Sequence, residues 1–469
     1  MSNRLNFILI IIDSARADHF SCYGYSKKTT PYIDELSEEA MVFESAFSTS
    51  CWTPPSCASI LTGKYPSQHG VLGYSKNLIT GKGKFGENLY LSKNNTTIPE
   101  ILRKNGYKTL GLSHSPHVSK KRGFDKGFDV FIEYYTKPLL SANITYLQSF
   151  FYNLILGSDS RAFLVNNIVK KWLNKNHKYP FFIFINYCNT HVPYNPPFPY
   201  RKKRGNKKLR KFSKIIYHCL TKKIKLDKND LEVLKSWYDE ELRYLDYRIN
   251  ELIKYLKKLD LYDNTVIIIT SDHGECFGEH GLVFHGYGLY DELIRVPLII
   301  NCPSIIKKGR KIRKLVSLVD IFPTILDVCE LNTNLLKNLP GKSLLKKYEK
   351  HEYIIAERGK FEYFYKIFKK AAPDFDPTPY IVSMKCLRTL RYKYIARSSG
   401  KEELYDLKKD KNENINLVKK LPGIREKMVL MLKKWENSIE RPKFEWAGNI
   451  KIREVIKKLR LRKSRIFHK

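Results

Sequence analysis

The sequence predicts an α/β fold in which helices flank a doubly wound, mostly parallel sheet, with a smaller C-terminal α+β subdomain after it. Three observations lead there. Five continuous apolar runs have strand length, as expected of strands covered on both faces: Leu5–Ile12, Lys108–Ser113, Phe181–Tyr187 (FFIFINY), Thr265–Thr270 (TVIIIT) and Val296–Asn301. Helical patterns such as Leu231–Leu259 lie between them, and strands alternating with helices read as a parallel sheet. The texture changes after about Leu344, where short strand-like stretches and turns begin. A chain of 469 residues has room for one large α/β domain and a smaller partner. The division expected is a catalytic domain over 1–344, a subdomain over 345–450 and a basic tail over 451–469.

The first run, Leu5–Ile12, ends directly in Asp13. It is too short to span a bilayer and no small-residue cleavage site follows, so it reads as a strand, not a signal peptide. Arg201–Lys214 is a dense basic run beside Pro193–Pro199 and reads as an exposed insertion. In the last third, Tyr353–Glu357, Tyr380–Leu387 and Arg391–Ala396 read as short strands and Gly423–Trp435 as a helix. In the tail, Val455, Ile456, Leu459 and Ile466 recur at helical spacing among Lys and Arg. Such a helix lies on an anionic membrane surface or docks on its own domain with its charges outward.

Lys and Arg total 84 against 47 Asp and Glu, a formal charge of +37. That field attracts anions: sulfated or phosphorylated esters, nucleic acid, or an acidic membrane face. Equally, it is what Lys-rich solvated faces produce. Nucleic acid is the least expected partner, since aromatics are not interleaved with the basic run and no nucleic-acid motif appears. With 43% apolar residues, global disorder is excluded. Nine cysteines without CxxC spacing fit no disulfide framework, which suggests a reducing, cytoplasmic setting, peripheral at the inner membrane face at most.

Three segments carry chemistry. Asp13 at a strand's C-terminal tip is placed to hold a cation or to cap the following turn. Ser271-Asp272-His273-Gly274-Glu275 follows another strand, and Asp plus His with a distant Asp suits a hard divalent ion, Ca²⁺ or Mg²⁺ first and Mn²⁺ next. Thr53-Pro54-Pro55 opens a helix that Gly63 stops, with Thr53 at the expected N-cap. The hydroxyl there is an ordinary cap or a nucleophile at an anion-binding helix end.

Together these segments resemble the sulfatase family, within the alkaline-phosphatase-like superfamily. The matching stretches run through nearly the whole chain: IIDSARADHFSCYGY (Ile11–Tyr25), TPPSCASILTGKYPSQHGV (Thr53–Val71), GFDKGFD (Gly123–Asp129), NTHVPYNPP (Asn189–Pro197), TSDHGECFGEHG (Thr270–Gly281), LYDELIRVPLII (Leu289–Ile300), LVDIFPTILD (Leu318–Asp327), RYKYIA (Arg391–Ala396) and ELYDLKKDKNENINL (Glu403–Leu417). The resemblance implies a divalent cation held by Asp13, Asp272 and His273, with Thr53 as attacking group and further contact to the ion. It implies that His191 binds the ester or protonates the leaving oxygen, that His285 contacts the oxyanion, and that Arg16 is structural.

Three departures bear on the chemistry. Ser14 stands where the family often has a second Asp. Anchored on Leu61-Thr62-Gly63, the position of the modified Cys or Ser is Thr53, with Pro55 in place and Cys57 where Arg is usual; the other register would use Cys51. Formylglycine expels sulfate through its second hydroxyl, which threonine lacks, whereas a Thr-phosphate is open to attack by water or an alcohol. The expectation is therefore hydrolysis of sulfate or phosphate esters, with phosphoryl transfer and a non-catalytic basic binder as the alternatives.

Overall fold

The structure, a computed structural model, describes residues 4–73, 89–134, 162–201, 214–215, 226–331, 339–345, 351–360 and 381–440. In chain order its strands begin with β1 (Asn6–Ile12), β2 (Met41–Phe47), β3 (Lys108–Ser113), β4 (Val130–Glu133), β5 (Phe181–Tyr187) and β6 (Thr265–Thr270). A small ribbon of β7 (Cys276–Phe277) and β8 (Val283–Phe284) follows, then β9 (Leu298–Asn301) and β10 (Arg310–Ser317). Apart from the ribbon these form one sheet in the order β10-β2-β9-β6-β1-β5-β3-β4. β1 pairs parallel with β5 and β6 at its centre, and β9 alone runs antiparallel to its neighbours.

The continuous apolar runs are explained by what covers them. Along β1, Phe7, Leu9 and Ile11 enter one core with Ala58 and Leu61 of the helix Thr53–Thr62 and with Phe322 and Ile325 of the helix Ile321–Val328. Ile8, Ile10 and Ile12 enter the other, against Val165 and Val169 of the helix Ala162–Asn176 and Leu245 and Ile249 of the helix Lys228–Lys258. Both faces of the sheet are thus sealed by helices, as the sequence predicts.

Four strands more, β11 (Ile354–Arg358), β12 (Met384–Arg388), β13 (Tyr392–Arg397) and β14 (Glu402–Asp406), form an antiparallel sheet. The helix Pro422–Ser438 packs Met428, Leu432 and Trp435 against it. Its opposite face meets the main sheet through Ile354, Ala356, Met384 and Cys386, which share a cluster with Phe47, Cys51 and Trp52.

Several expectations are corrected. The run at Val296 becomes a strand only at Leu298, and it opposes β6 because the chain is returning from the sheet's carboxyl edge. β2, interrupted by Glu44 and Ser45, and β10, a charged edge strand, escape an apolar-run criterion, as does β14. The strand expected from Tyr380 begins at Met384. Among the described residues no helix is long and apolar enough to cross a membrane. Nearly all of the basic run and the whole 451–469 tail lie outside the described residues.

Candidate active site

Strand register assembles the site. β1 and β6 pair Ile11 with Thr270, so Asp13 and Asp272, each two residues further on, leave the carboxyl edge side by side. β1 and β5 pair Ile12 with Tyr187, which sets Cys188 next to Asp13, and its Sγ lies 3.3 Å from Asp13 Oδ2. Asp13 is not a helix cap; its Oδ1 accepts from Ser14 Oγ at 3.0 Å, and the following short helix Ala17–His19 has Arg16 at its N-cap. Ser14 turns the chain at φ 64°, and its N–H donates to Asp272 Oδ1 at 3.2 Å.

Thr53 arrives from the carboxyl end of β2. It is the first helical residue, not the expected N-cap; Trp52 holds that place in extended conformation. The hydroxyl is therefore not spent on capping. Oγ1 lies 3.3 Å from Asp13 Oδ2 and 3.2 Å from His273 Nε2. Pro54 and Pro55 carry no N–H, so fewer free donors point from this helix end than its length implies. Gly63 closes the helix at φ 68°, a left-handed conformation that a side chain disfavours.

Asp13, Asp272 and His273 are all buried, and one donor atom from each lies within 4.8 Å of the others. His273 Nδ1 faces the Gly274 carbonyl at 2.9 Å, which leaves Nε2 at 3.5 Å from Asp13 Oδ1 and 3.6 Å from Asp272 Oδ2. Burial, with His285 nearby, pushes this imidazole down to about 3, so it is neutral, the ligating form. Burial and the charge of Asp13 push Asp272 well above the carboxylate range. Burial acts the same way on Asp13, but His191, His273 and His285 outweigh it and hold it low. Asp272 Oδ2 is buried without a hydrogen-bond partner. Two adjoining buried carboxylates, one with an orphaned oxygen, beside a neutral imidazole fit a divalent cation.

His191 and His285 join this cluster. The His285 ring centroid is 4.4 Å from that of His273 and 4.9 Å from that of His191. His191 Nδ1 is 2.8 Å from the Val192 carbonyl. His285 Nδ1 is 3.0 Å from Glu275 Oε1, and Tyr194 donates its hydroxyl to Glu275 Oε2 at 3.0 Å. Burial and the neighbouring His191 push His285 down to about 3, and burial pushes Glu275 up to about 8. Cys188 and Glu275 were not singled out as site residues from the sequence. Glu275 sits three positions past Asp272, and Cys188 directly follows a strand end, which is the one signal that could have found it.

The sulfatase family profile matches residues 5–331, and the N-sulphoglucosamine sulphohydrolase C-terminal profile matches residues 278–440. The chain belongs to the sulfatase family. An uncharacterized sulfatase of Escherichia coli strain K12 is 25% identical over 485 residues, covering 95% of this chain and 90% of its own. An N-acetylglucosamine-6-O-sulfatase of Bacteroides thetaiotaomicron is 25% identical, covering 92% and 85%. The fold also matches the crystal structure of a phosphonate monoester hydrolase of Agrobacterium radiobacter (TM-score 0.69, 20% identity, 92% of this chain and 96% of that one). A structure in complex with its substrate D-glucosamine-2-N,6-O-disulfate matches at TM-score 0.67 with 19% identity, covering 93% and 98%.

Within this sulfatase-family hydrolase the departures now have surroundings. Ser14 donates its N–H to Asp272 Oδ1 and its hydroxyl to Asp13 Oδ1. Cys57 is fully buried, and burial with the charges of Asp272 and Asp13 holds its thiol well above the usual range. Cys51 lies among Phe47, Trp52 and Leu289, and burial pushes its thiol up to about 11. Arg16 is taken up by Asp18 and Glu279 at 2.7 and 2.8 Å.

Proposed function

We propose that this sulfatase-family hydrolase cleaves anionic phosphate esters, using the unmodified Thr53 hydroxyl as nucleophile beside one divalent cation. The observation that carries the reading is the position of Thr53 Oγ1, within 3.3 Å of both Asp13 Oδ2 and His273 Nε2. Asp13, Asp272 and His273 would hold the ion, with Thr53 in further contact. When bound, such an ion lowers the pKa of an adjacent hydroxyl and offsets charge developing on the ester's equatorial oxygens. Thr53 gives its proton toward Asp13 Oδ2 as Oγ1 attacks phosphorus. His191 delivers a proton to the departing oxygen, and His285 contacts a non-bridging oxygen. Water then gives a proton to the His191 imidazole as it attacks phosphorus, the Thr53 Oγ1–P bond breaks, and Oγ1 takes its proton back from Asp13 as phosphate leaves.

The phosphate preference follows from the single hydroxyl of threonine, since a sulfated Thr53 has no hemiacetal collapse to release it. Intact mass spectrometry after rapid quench should show a phosphoryl adduct on Thr53, and Thr53→Ala should abolish adduct and turnover together. Faster turnover of matched sulfate esters, or an aldehyde found at Cys51, would overturn this reading. The sulfatase names of the relatives keep sulfate esters as the comparison substrate, and an acceptor alcohol that outcompetes water would reassign the reaction to phosphoryl transfer.

A further inference from the structure

Glu275 has no part in the ligand set or the steps above, yet its carboxylate is fully buried and both oxygens are engaged. Oε1 lies 3.0 Å from His285 Nδ1, and Oε2 accepts from the Tyr194 hydroxyl at 3.0 Å. Two segments meet there, since Tyr194 belongs to the loop that carries His191. The backbone on each side is pinned. Glu275 O accepts from Arg16 Nη1 at 3.0 Å, and a Cβ on Gly274 would lie 2.0 Å from the Glu292 carbonyl oxygen, so this turn packs directly on the Glu292 backbone. The His285 loop is held to the Thr53 loop by Gly286 N–H donating to Cys51 O at 3.1 Å. An imidazole tied through Nδ1 has its ring orientation set, and Nε2, on the ring's other side, is left for a different partner.

We infer that Glu275 is a positioning residue: acting through Nδ1 of His285, it aims Nε2 at a substrate oxygen beside Thr53, while Tyr194 keeps Glu275 itself in place. The inference rests on the placement of His285 in the proposed site. It adds that the orientation of His285 is set by a buried carboxylate on the segment that also carries Asp272 and His273, so one turn serves both the cation pocket and the substrate contact. Because the contact strengthens as charge builds on the oxygen, loss of aim lowers kcat and leaves KM nearly unchanged.

The test uses the metal-loaded full chain with 4-nitrophenyl phosphate. Glu275→Ala should lower kcat by about tenfold to a hundredfold, the effect seen when a carboxylate that orients a metal-bound histidine is removed. Glu275→Gln should recover most of it, because its amide oxygen still accepts from the Tyr194 hydroxyl while its amide NH₂ donates to Nδ1. In a His285→Ala background neither change should have further effect, since Glu275 acts only through that ring. The ¹⁵N shifts of His285 should report a proton on Nε2, the nitrogen that faces the substrate oxygen, in the wild type and in Glu275→Gln. If Glu275→Ala fails to fold by thermal melting, Tyr194→Phe takes its place, with a smaller kcat loss that also vanishes in the His285→Ala background. A loss of equal size with and without His285, or an unchanged kcat, overturns the inference while leaving the nucleophile assignment intact. Full turnover by His285→Ala overturns both the placement of His285 and the inference built on it.

Discussion

Replacing Asp272 by Asn separates a cation site from a chance cluster of acids. Asp272 Oδ1 already accepts two backbone N–H groups, from Ser14 at 3.2 Å and His273 at 3.0 Å. Oδ2 has no hydrogen-bond partner. Asparagine has the same shape, keeps both contacts at Oδ1 and cannot take up a charge beside Asp13. In the metal-free chain the substitution therefore relieves the repulsion that holds Asp272 high, and the melting temperature should stay level or rise. With cation present the order reverses. An ion at a hundred times its Kd stabilises the wild type by about 2.7 kcal/mol, or about 3 °C at about 1 °C per kcal/mol for a chain of 469 residues. That rise should shrink to about 1 °C or less in the variant. If the ion contributes about 4 kcal/mol to the transition state, turnover falls about a thousandfold. Melting curves with chelator and with titrated Mg²⁺, Ca²⁺ and Mn²⁺, elemental analysis, and 4-nitrophenyl phosphate kinetics give all three readings. An Asn variant with the full metal-induced rise and full turnover would refute the argument. So would a metal-free variant several degrees less stable than wild type, because the carboxylate would then be satisfied by something other than a cation.

Two further perturbations test the frame that carries the site. Burial pushes His69 down to about 3; its Nδ1 accepts from Val71 N–H at 3.1 Å and Nε2 faces Pro55 O at 3.2 Å, so the folded chain keeps it neutral. The unfolded chain protonates it near about 6.5, so stability is present above that pH and is lost as pH falls toward about 3. Urea midpoints at pH 7 and 5 should therefore differ less in His69→Gln than in wild type. Lys393 is fully buried between Asp291 at 2.9 Å and Glu413 at 2.8 Å, and these carboxylates outweigh burial to hold it charged. Lys393→Met should cost about 3–5 kcal/mol in chemical denaturation, and an unmoved midpoint would show that the pair carries no net stabilisation.

Much of the site was legible because its chemistry is concentrated at strand ends. Asp13 and the Asp272-His273 pair each follow an apolar run whose length and continuity mark a buried strand, and ligands in such sheets gather beyond the carboxyl edge. The helix after Thr53 was legible from its prolines and Gly63, although the cap itself was misplaced by one residue. β2 and β10 were not, since Glu44 and Ser45 in one and Arg310, Lys311, Arg313 and Lys314 in the other break the pattern on which the run criterion depends. The reversed direction of β9 leaves no trace in its composition, because a buried strand is apolar whichever way it runs.

The sequence by itself determined the residue types, the strands that end in them and the family to which they belong, all local properties of short segments. Tertiary structure alone decided that Ile11 pairs with Thr270 and Ile12 with Tyr187, and these two registers bring Asp13, Asp272 and Cys188 to one point. It alone turned Thr53 Oγ1 toward Asp13 and His273 and closed Tyr194, Glu275 and His285 into one chain of hydrogen bonds. The physical reason is that register and strand order are set by the packing of two cores on opposite faces of the sheet, a sum of contacts between residues far apart in the chain that no local pattern records.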